Sequence, residues 1–199
     1  SSPSFRGTTA QQTAVIWNGI NINSQLNGLT DFNTIISSNF NSISIRSGGG
    51  SSIYGSSAIG GSIHLNNQLN FKKEFENNLS LKYGSFNTFN LDYNLKLSSE
   101  KVSTQFSFSR NISENNYKYL NTNSRNENGQ FNNSSFNFNA GYKFNSKNSL
   151  KLYSQYFDGE RNFSGSLVAP SKSVYFDVNT RNLLEFSNYQ NKSISNIRL

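Results

Sequence analysis

From Asn78 onward, apolar and aromatic residues occupy alternate positions of one segment after another, and the opposite parity is Asn, Ser, Lys, Gln and Asp almost throughout. Leu79, Leu81 and Tyr83 open the pattern, and Phe89, Leu91, Tyr93, Leu95 and Leu97 continue it. Val102, Thr104, Phe106 and Phe108 follow, then Phe136, Phe138, Ala140, Tyr142 and Phe144. A period of two means strands with one apolar face. The same alternation fits a soluble sandwich, in which the apolar parity meets a second sheet. Connection lengths separate the two readings. The segments 98–101, 145–148 and 191–193 are short polar turns, whereas 113–133 and 158–180 are expected to be long and irregular. Short and long connections that alternate along hairpins are the asymmetry of an outer-membrane β-barrel. The hairpin turning at 84–87 is the exception, with a short loop at the long-loop end. About seven strands are expected, the last beginning at Ile194.

Composition supports a barrel wall. Hydrophobic residues make up 34% of the 199 and mean hydropathy is −0.62, too polar for a conventional core, yet 17 Phe and 10 Tyr are far more aromatic surface than a disordered chain carries. A wall with a wet side resolves the conflict, because only every second residue must be apolar. No run of about 18 apolar residues is present, so no helix crosses a membrane. The start at Ser1-Ser2-Pro3 shows no leader pattern, which implies removal or a missing N-terminus. With no Cys and one His, disulfides, thiolate chemistry, zinc–sulfur sites and multi-His metal sites are not expected. The net charge of +7 comes from singly scattered Lys and Arg, so nucleic-acid binding is not expected.

A composition shift between Gln68 and Asn77 divides the chain, giving expected domains at 1–70 and 71–199. The first holds short apolar strands at 13–17, 42–46 and 62–65 between Gly- and Asn-rich turns. The segment 30–36 is expected to open a short helix with Thr30 or Asp31 as N-cap. The Gly-rich stretch 48–65 lacks the Gly-Lys-Ser/Thr ending of a phosphate loop and any βαβ context. Gly55, Gly60 and Gly61 are therefore expected to serve tight turns and close backbone approach. His64, the sole imidazole, is expected to be structural, and Asp158, Glu160 and Arg161 a solvated loop group.

The order of motifs resembles TonB-dependent receptors. Phe5-Arg6-Gly7-Thr8 is similar to the family's Arg-Gly motif, and Ala14-Val15-Ile16-Trp17-Asn18-Gly19-Ile20 to its strand ending in Asp-Gly. Ser52-Ile53-Tyr54-Gly55-Ser56-Ser57-Ala58-Ile59-Gly60-Gly61-Ser62-Ile63 resembles the C-terminal plug signature, and Lys82-Tyr83-Gly84-Ser85-Phe86 the first barrel hairpin. Asn18 stands where the family usually has Asp, Gly49 where Pro is common, and Ser44 where Glu often sits. The family also places an Arg directly before the Gly of its Gly-Pro pair. That slot is Ser47 here, with Arg46 one residue earlier, and a one-residue offset changes the face of a strand.

The resemblance implies a mainly β fold: the C-terminal part of a small α/β plug, then antiparallel strands of an incomplete transmembrane β-barrel of roughly 22 strands. It implies active uptake across the bacterial outer membrane of a scarce large nutrient, cobalamin or a ferric siderophore, with no covalent chemistry or cofactor. Cobalamin-type relatives hold calcium in an early outer loop, but 113–133 offers only Glu114 and Glu127, set well apart, so no metal site is expected. The implied partners are the TonB energy-coupling complex, through a segment expected before Ser1, outer-membrane lipid, and a cobalamin or metal-chelate ligand. Arg6 and Arg46 are the expected plug–barrel contacts. The expected substrate contacts are Asn23, Ser24, Gln25, Leu26, Asn27 and Gly28 at the plug apex, together with Tyr117 and Tyr119 of an outer loop. Against this stand two other readings: a surface β-protein used for adhesion without transport, and an outer-membrane enzyme, for which no nucleophile–base pair is evident.

Overall fold

The computed structural model describes residues 2–5, 7–48, 50–166, 168–188 and 193–198, with the backbone alone at Ser56 and 193–198. Arg6, Gly49 and most of the 191–193 turn lie outside the described residues. The chain forms two compact units, Ser1–Gln68 and Leu69–Leu199.

The first unit is built on a four-stranded sheet. β1 (Thr13–Trp17) is central, antiparallel to β2 (Ile20–Asn21) and parallel to β4 (Gly61–Asn66), whose other side takes β3 (Ser42–Ser47) in antiparallel register. A strand covered on both faces reads as a continuous apolar run, and Ala14, Val15, Ile16 and Trp17 are each no more than 2% exposed. Asn18 and Gly19 turn β1 into β2 with φ of 45° and 86°, the two positive values that a tight hairpin of this twist requires. The expected helix at 30–36 is a single 3₁₀ turn, Phe32–Thr34, with Asp31 accepting a hydrogen bond from the Asn33 amide at 3.0 Å. The Gly-rich stretch holds a helical turn that the sequence reading did not anticipate, α1 (Ser51–Tyr54), followed by a 3₁₀ turn at Ser56–Ala58. Together they bring Tyr54 and Ala58 onto Ala14 and Ile16.

The second unit is one antiparallel meander of seven strands: β5 (Glu74–Gly84), β6 (Thr88–Ser98), β7 (Val102–Ser113), β8 (Phe131–Lys143), β9 (Asn148–Gly165), β10 (Pro170–Asn188) and β11 (Ser193–Arg198). The segment 158–180 is not the expected irregular loop. The β9–β10 ladder continues through it to Gly165 and Pro170, beyond which the Ser166 amide donates to the Ala169 carbonyl. Its Asp, Gly, Glu, Arg and Asn read as loop residues, but cross-strand partners override so weak a propensity. The ion pair between Arg161 and Asp177, 2.9 Å, ties the two strands directly.

Register sorts every residue of this wall onto two faces. Leu81, Phe106, Phe138 and Leu152 share one face, and their strand neighbours Lys82, Gln105, Asn137 and Lys151 share the other. The apolar face is the open one. Leu81 is 59% and Phe75 71% exposed, whereas Asn137 and Ser103 on the polar face are 2% exposed. A water-soluble sandwich has the reverse arrangement.

The apolar belt also runs obliquely to the hydrogen-bonded rows. The row Leu79, Tyr93, Phe108, Phe136, Tyr156 is aromatic or aliphatic across five strands. Nearer the long-loop end, the row Leu81, Leu91, Arg110, Ser134, Asp158 turns polar halfway. At the short-turn end the belt stops at Phe75 and Leu97 on β5 and β6, and reaches lower, to Val102, Tyr142, Leu150 and Phe186, on β7 to β10. A belt that descends along the chain in this way is level only when the strands tilt, as they must in a closed barrel. β10 departs from the belt by carrying exposed Val174, Phe176 and Val178 beyond it.

Candidate functional site

The apex of the first unit is the loop from Asn23 to Leu29. Asn23 is its bracket. Its Oδ1 accepts from the Val15 amide at 2.7 Å, and its Nδ2 donates to the carbonyls of Thr13 and Gly28 at 2.9 and 2.8 Å. A short amide side chain thereby satisfies the edge of β1 where no strand lies alongside. Gly28, at φ 71°, closes the loop by donating to the Ser24 carbonyl. The Ser24 hydroxyl accepts from the Leu26 amide, and the Asn27 Oδ1 from the Leu29 amide at 3.0 Å. Ser24, Gln25 and Asn27 are exposed, and Leu26, 95% exposed, stands at the tip. Of the six apex residues singled out in the sequence, Asn23 and Gly28 thus hold the loop, and the other four present side chains to solvent.

In the second unit the β7–β8 connection, 114–130, folds on itself. Lys118 and Arg125 bridge, the Tyr119 amide donates to the Ser124 carbonyl, and buried Asn126 donates through Nδ2 to the Asn115 carbonyl at 2.9 Å. Tyr117 packs edge-on against Phe86 of the β5–β6 turn at 6.4 Å and against Tyr119 at 5.5 Å. Tyr117 therefore anchors the loop, while Tyr119 edges a shallow concavity that it lines with Lys118, Leu120, Asn121, Thr122 and Asn123. The loop is tied onward as well. The Asn128 Nδ2 donates to the carbonyls of Phe163 and Ser173, and its Oδ1 accepts from the Asn162 Nδ2. Beside this tie, the Arg161 guanidinium lies over the rings of Phe163 and Tyr175, 5.8 and 5.2 Å from their centroids. The sequence reading placed Arg161 in a solvated loop group with Asp158 and Glu160. Register puts Arg161 on the polar face with Asp177 and Tyr175, and Asp158 and Glu160 on the opposite face. Strand parity carried that signal once 158–180 was known to be a ladder.

The glycines fall into two kinds. Gly55, at φ 87°, separates α1 from the next turn. Gly60 and Gly61 are places of close approach: a Cβ on Gly60 would fall onto the Thr8 hydroxyl, and one on Gly61 would lie 2.7 Å from the Arg46 carbonyl. His64 is buried on β4, with Nε2 2.9 Å from the Ser62 hydroxyl and its ring edge-on to Tyr54 at 5.0 Å. Burial, and secondarily the positive charge of Arg46, pulls its pKa below the ordinary histidine value. A serine next to an imidazole is the geometry of an activated nucleophile, and the sequence reading missed it. Ser62 is 1% exposed and His64 6%, so no substrate atom reaches the pair. Arg46 lies on exposed edge strand β3, on the sheet face that carries Ser62 and His64.

Residues 1–62 match the TonB-dependent receptor plug domain family. No curated protein sequence matches the chain. Among solved structures, the copper transporter OprC superposes with a TM-score of 0.73 at 16% identity, covering 90% of this chain and 27% of its own. P. aeruginosa FpvA in complex with heterologous pyoverdines and iron gives 0.66 at 13%, and the FpvAI–pyocin S2 complex 0.65 at 13%, each covering 93% of this chain and 26% of its own. The fold is therefore that of a plug sheet followed by consecutive barrel strands, and the chain spans about a quarter of the length of these proteins.

Proposed function

We propose that this chain is the plug-to-barrel segment of an outer-membrane receptor that imports a large polar nutrient at the expense of TonB-coupled energy. The observation that carries the reading is the inverted wall of the second unit: one face is apolar and exposed, the other mainly polar and, over β7 to β10, buried, with Tyr153, Phe157 and Leu183 as its buried apolar residues. Such a wall costs too much in water: each large side chain left exposed forgoes about 1.5–3 kcal/mol that transfer to an apolar medium returns. In a bilayer the same face is the lipid contact, and the oblique belt gives it constant depth. The family match over 1–62 supports the transport half of the reading.

The cargo is cobalamin or a ferric siderophore. Metal-bearing cargo is favoured by the neighbours, one a copper transporter and another holding an iron–pyoverdine complex. Gln25, Leu26 and Asn27 at the apex and Tyr119 in the outer loop are the contacts, supplying uncharged donors and acceptors plus rigid aromatic area. Exposed Arg46, one residue from the slot of the family's Arg, is the proposed plug–barrel contact. The test is accumulation of labelled ferric siderophores and cobalamin by cells that express the full-length receptor, with and without TonB. Uptake of one of them that disappears without TonB is expected. Binding without any TonB-dependent accumulation would favour the adhesion reading instead.

A further inference from the structure

We infer that the short-turn rim of the second unit is a docking collar for anionic phospholipid headgroups. The inference rests on the membrane-wall reading above and goes beyond it in naming a lipid class. Lys72 and Lys73 precede β5, Lys101 lies in the β6–β7 turn, Lys143 ends β8, and Lys147 lies in the β8–β9 turn. Against these five stand Glu100, and Glu74, whose carboxylate already accepts from Asn70. Lys72, Lys73, Lys101 and Lys147 are exposed. None of the five is ion-paired among the described residues, whereas Lys96, Lys151 and Arg161 of the polar face are held by Glu76, Glu185 and Asp177. The opposite end has no such bias: Lys118, Arg125 and Lys172 are mixed there with Glu114 and Glu127.

Position gives the charge its partner. The lysines lie directly beyond the lower edge of the apolar belt, where Phe75, Leu97, Val102, Tyr142 and Phe144 are all exposed. Tyr142 and Phe144 meet edge-on at 5.0 Å, as the aromatic girdle at a bilayer surface does. The Lys143 amide donates to the Lys101 carbonyl at 2.8 Å, which ties the β6–β7 turn to the end of β8, while Lys143 itself falls by register on the polar face. A side chain rooted at the hydrocarbon boundary extends its ammonium group to the depth of the lipid phosphates. Unpaired ammonium groups at that depth match an anionic headgroup such as phosphatidylglycerol better than a zwitterionic one.

The test uses the full-length receptor in vesicles of phosphatidylethanolamine with phosphatidylglycerol as minor component. Electron spin resonance of spin-labelled phosphatidylglycerol and phosphatidylcholine measures the lipid held at the protein surface. The collar predicts selectivity for phosphatidylglycerol of about twofold or more, lowered by salt. It should fall to none in Lys72→Gln/Lys73→Gln/Lys101→Gln/Lys147→Gln, recover in the four Lys→Arg replacements, and stay unchanged in Lys118→Gln/Arg125→Gln/Lys172→Gln. Selectivity that survives the four Gln replacements, including the case in which the lysines instead hold an acidic protein, overturns the collar. Absence of any surface-held lipid, of either kind, overturns the membrane wall itself.

Discussion

Asn23→Ala separates a structural role for this residue from a ligand contact. The side chain makes three hydrogen bonds, to the Val15 amide and to the carbonyls of Thr13 and Gly28, and is 9% exposed. Each neutral bond contributes roughly 1 kcal/mol net, and a buried group left unpaired costs roughly 1–3 kcal/mol. Removing all three, with Val15 buried at 1% exposure, should destabilise the first unit locally by about 3 kcal/mol. That is about a hundredfold in a local opening constant. Hydrogen exchange of the full-length receptor, read by mass spectrometry, measures it. Amides of β1 should exchange about a hundredfold faster while those of β8 are unaffected. Unchanged protection of β1 would refute the bracket, and lost ligand affinity with unchanged protection would make Asn23 a contact after all.

Gly60→Ala should destabilise the receptor by more than about 1 kcal/mol in denaturant titration, with no nucleotide binding detected by calorimetry before or after. Gln25→Ala/Asn27→Ala should weaken cargo binding about tenfold, about 1.4 kcal/mol, with normal membrane assembly; unchanged affinity would remove the apex from the site. His64 predicts a pH dependence. Its folded pKa lies below the unfolded value, so the unfolded state binds the proton more readily. Its contribution is complete above about pH 6.5 and is lost as pH falls from there through the folded value. Unfolding of the first unit, followed by exchange at several pH values, should show this loss in the parent and not in His64→Gln.

The strands of the second unit were legible because their signal is parity, which tolerates any amount of polar residue on the other face. Parity also grouped Leu81, Phe106 and Phe138 with the apolar positions of their strands before register was known. It failed over 158–180, where Asp158, Gly159 and Glu160 hide a ladder stabilised by their partners Val178, Asp177 and Phe176 on the returning strand β10. In the Gly-rich stretch the turns were legible but α1 was not, since four residues carry no helical period. The apex was legible as a loop. Which of its residues hold it together was not, because the bonds of Asn23 to Thr13 and Val15 depend on how β1 is covered rather than on local sequence.

The central claim, a membrane wall with its apolar face outward, is tested most directly by site-specific labelling. Single Cys replacements at Leu81, Phe106, Phe138 and Leu152, and at their neighbours Lys82, Gln105, Asn137 and Lys151, are introduced into the full-length receptor in membranes. A lipid-soluble maleimide and a membrane-impermeant one compete for each thiol. The first four thiols are expected to react with the lipid-soluble reagent and the second four are not. Equal labelling of both parities, or labelling of all eight by the water-soluble reagent, would contradict it.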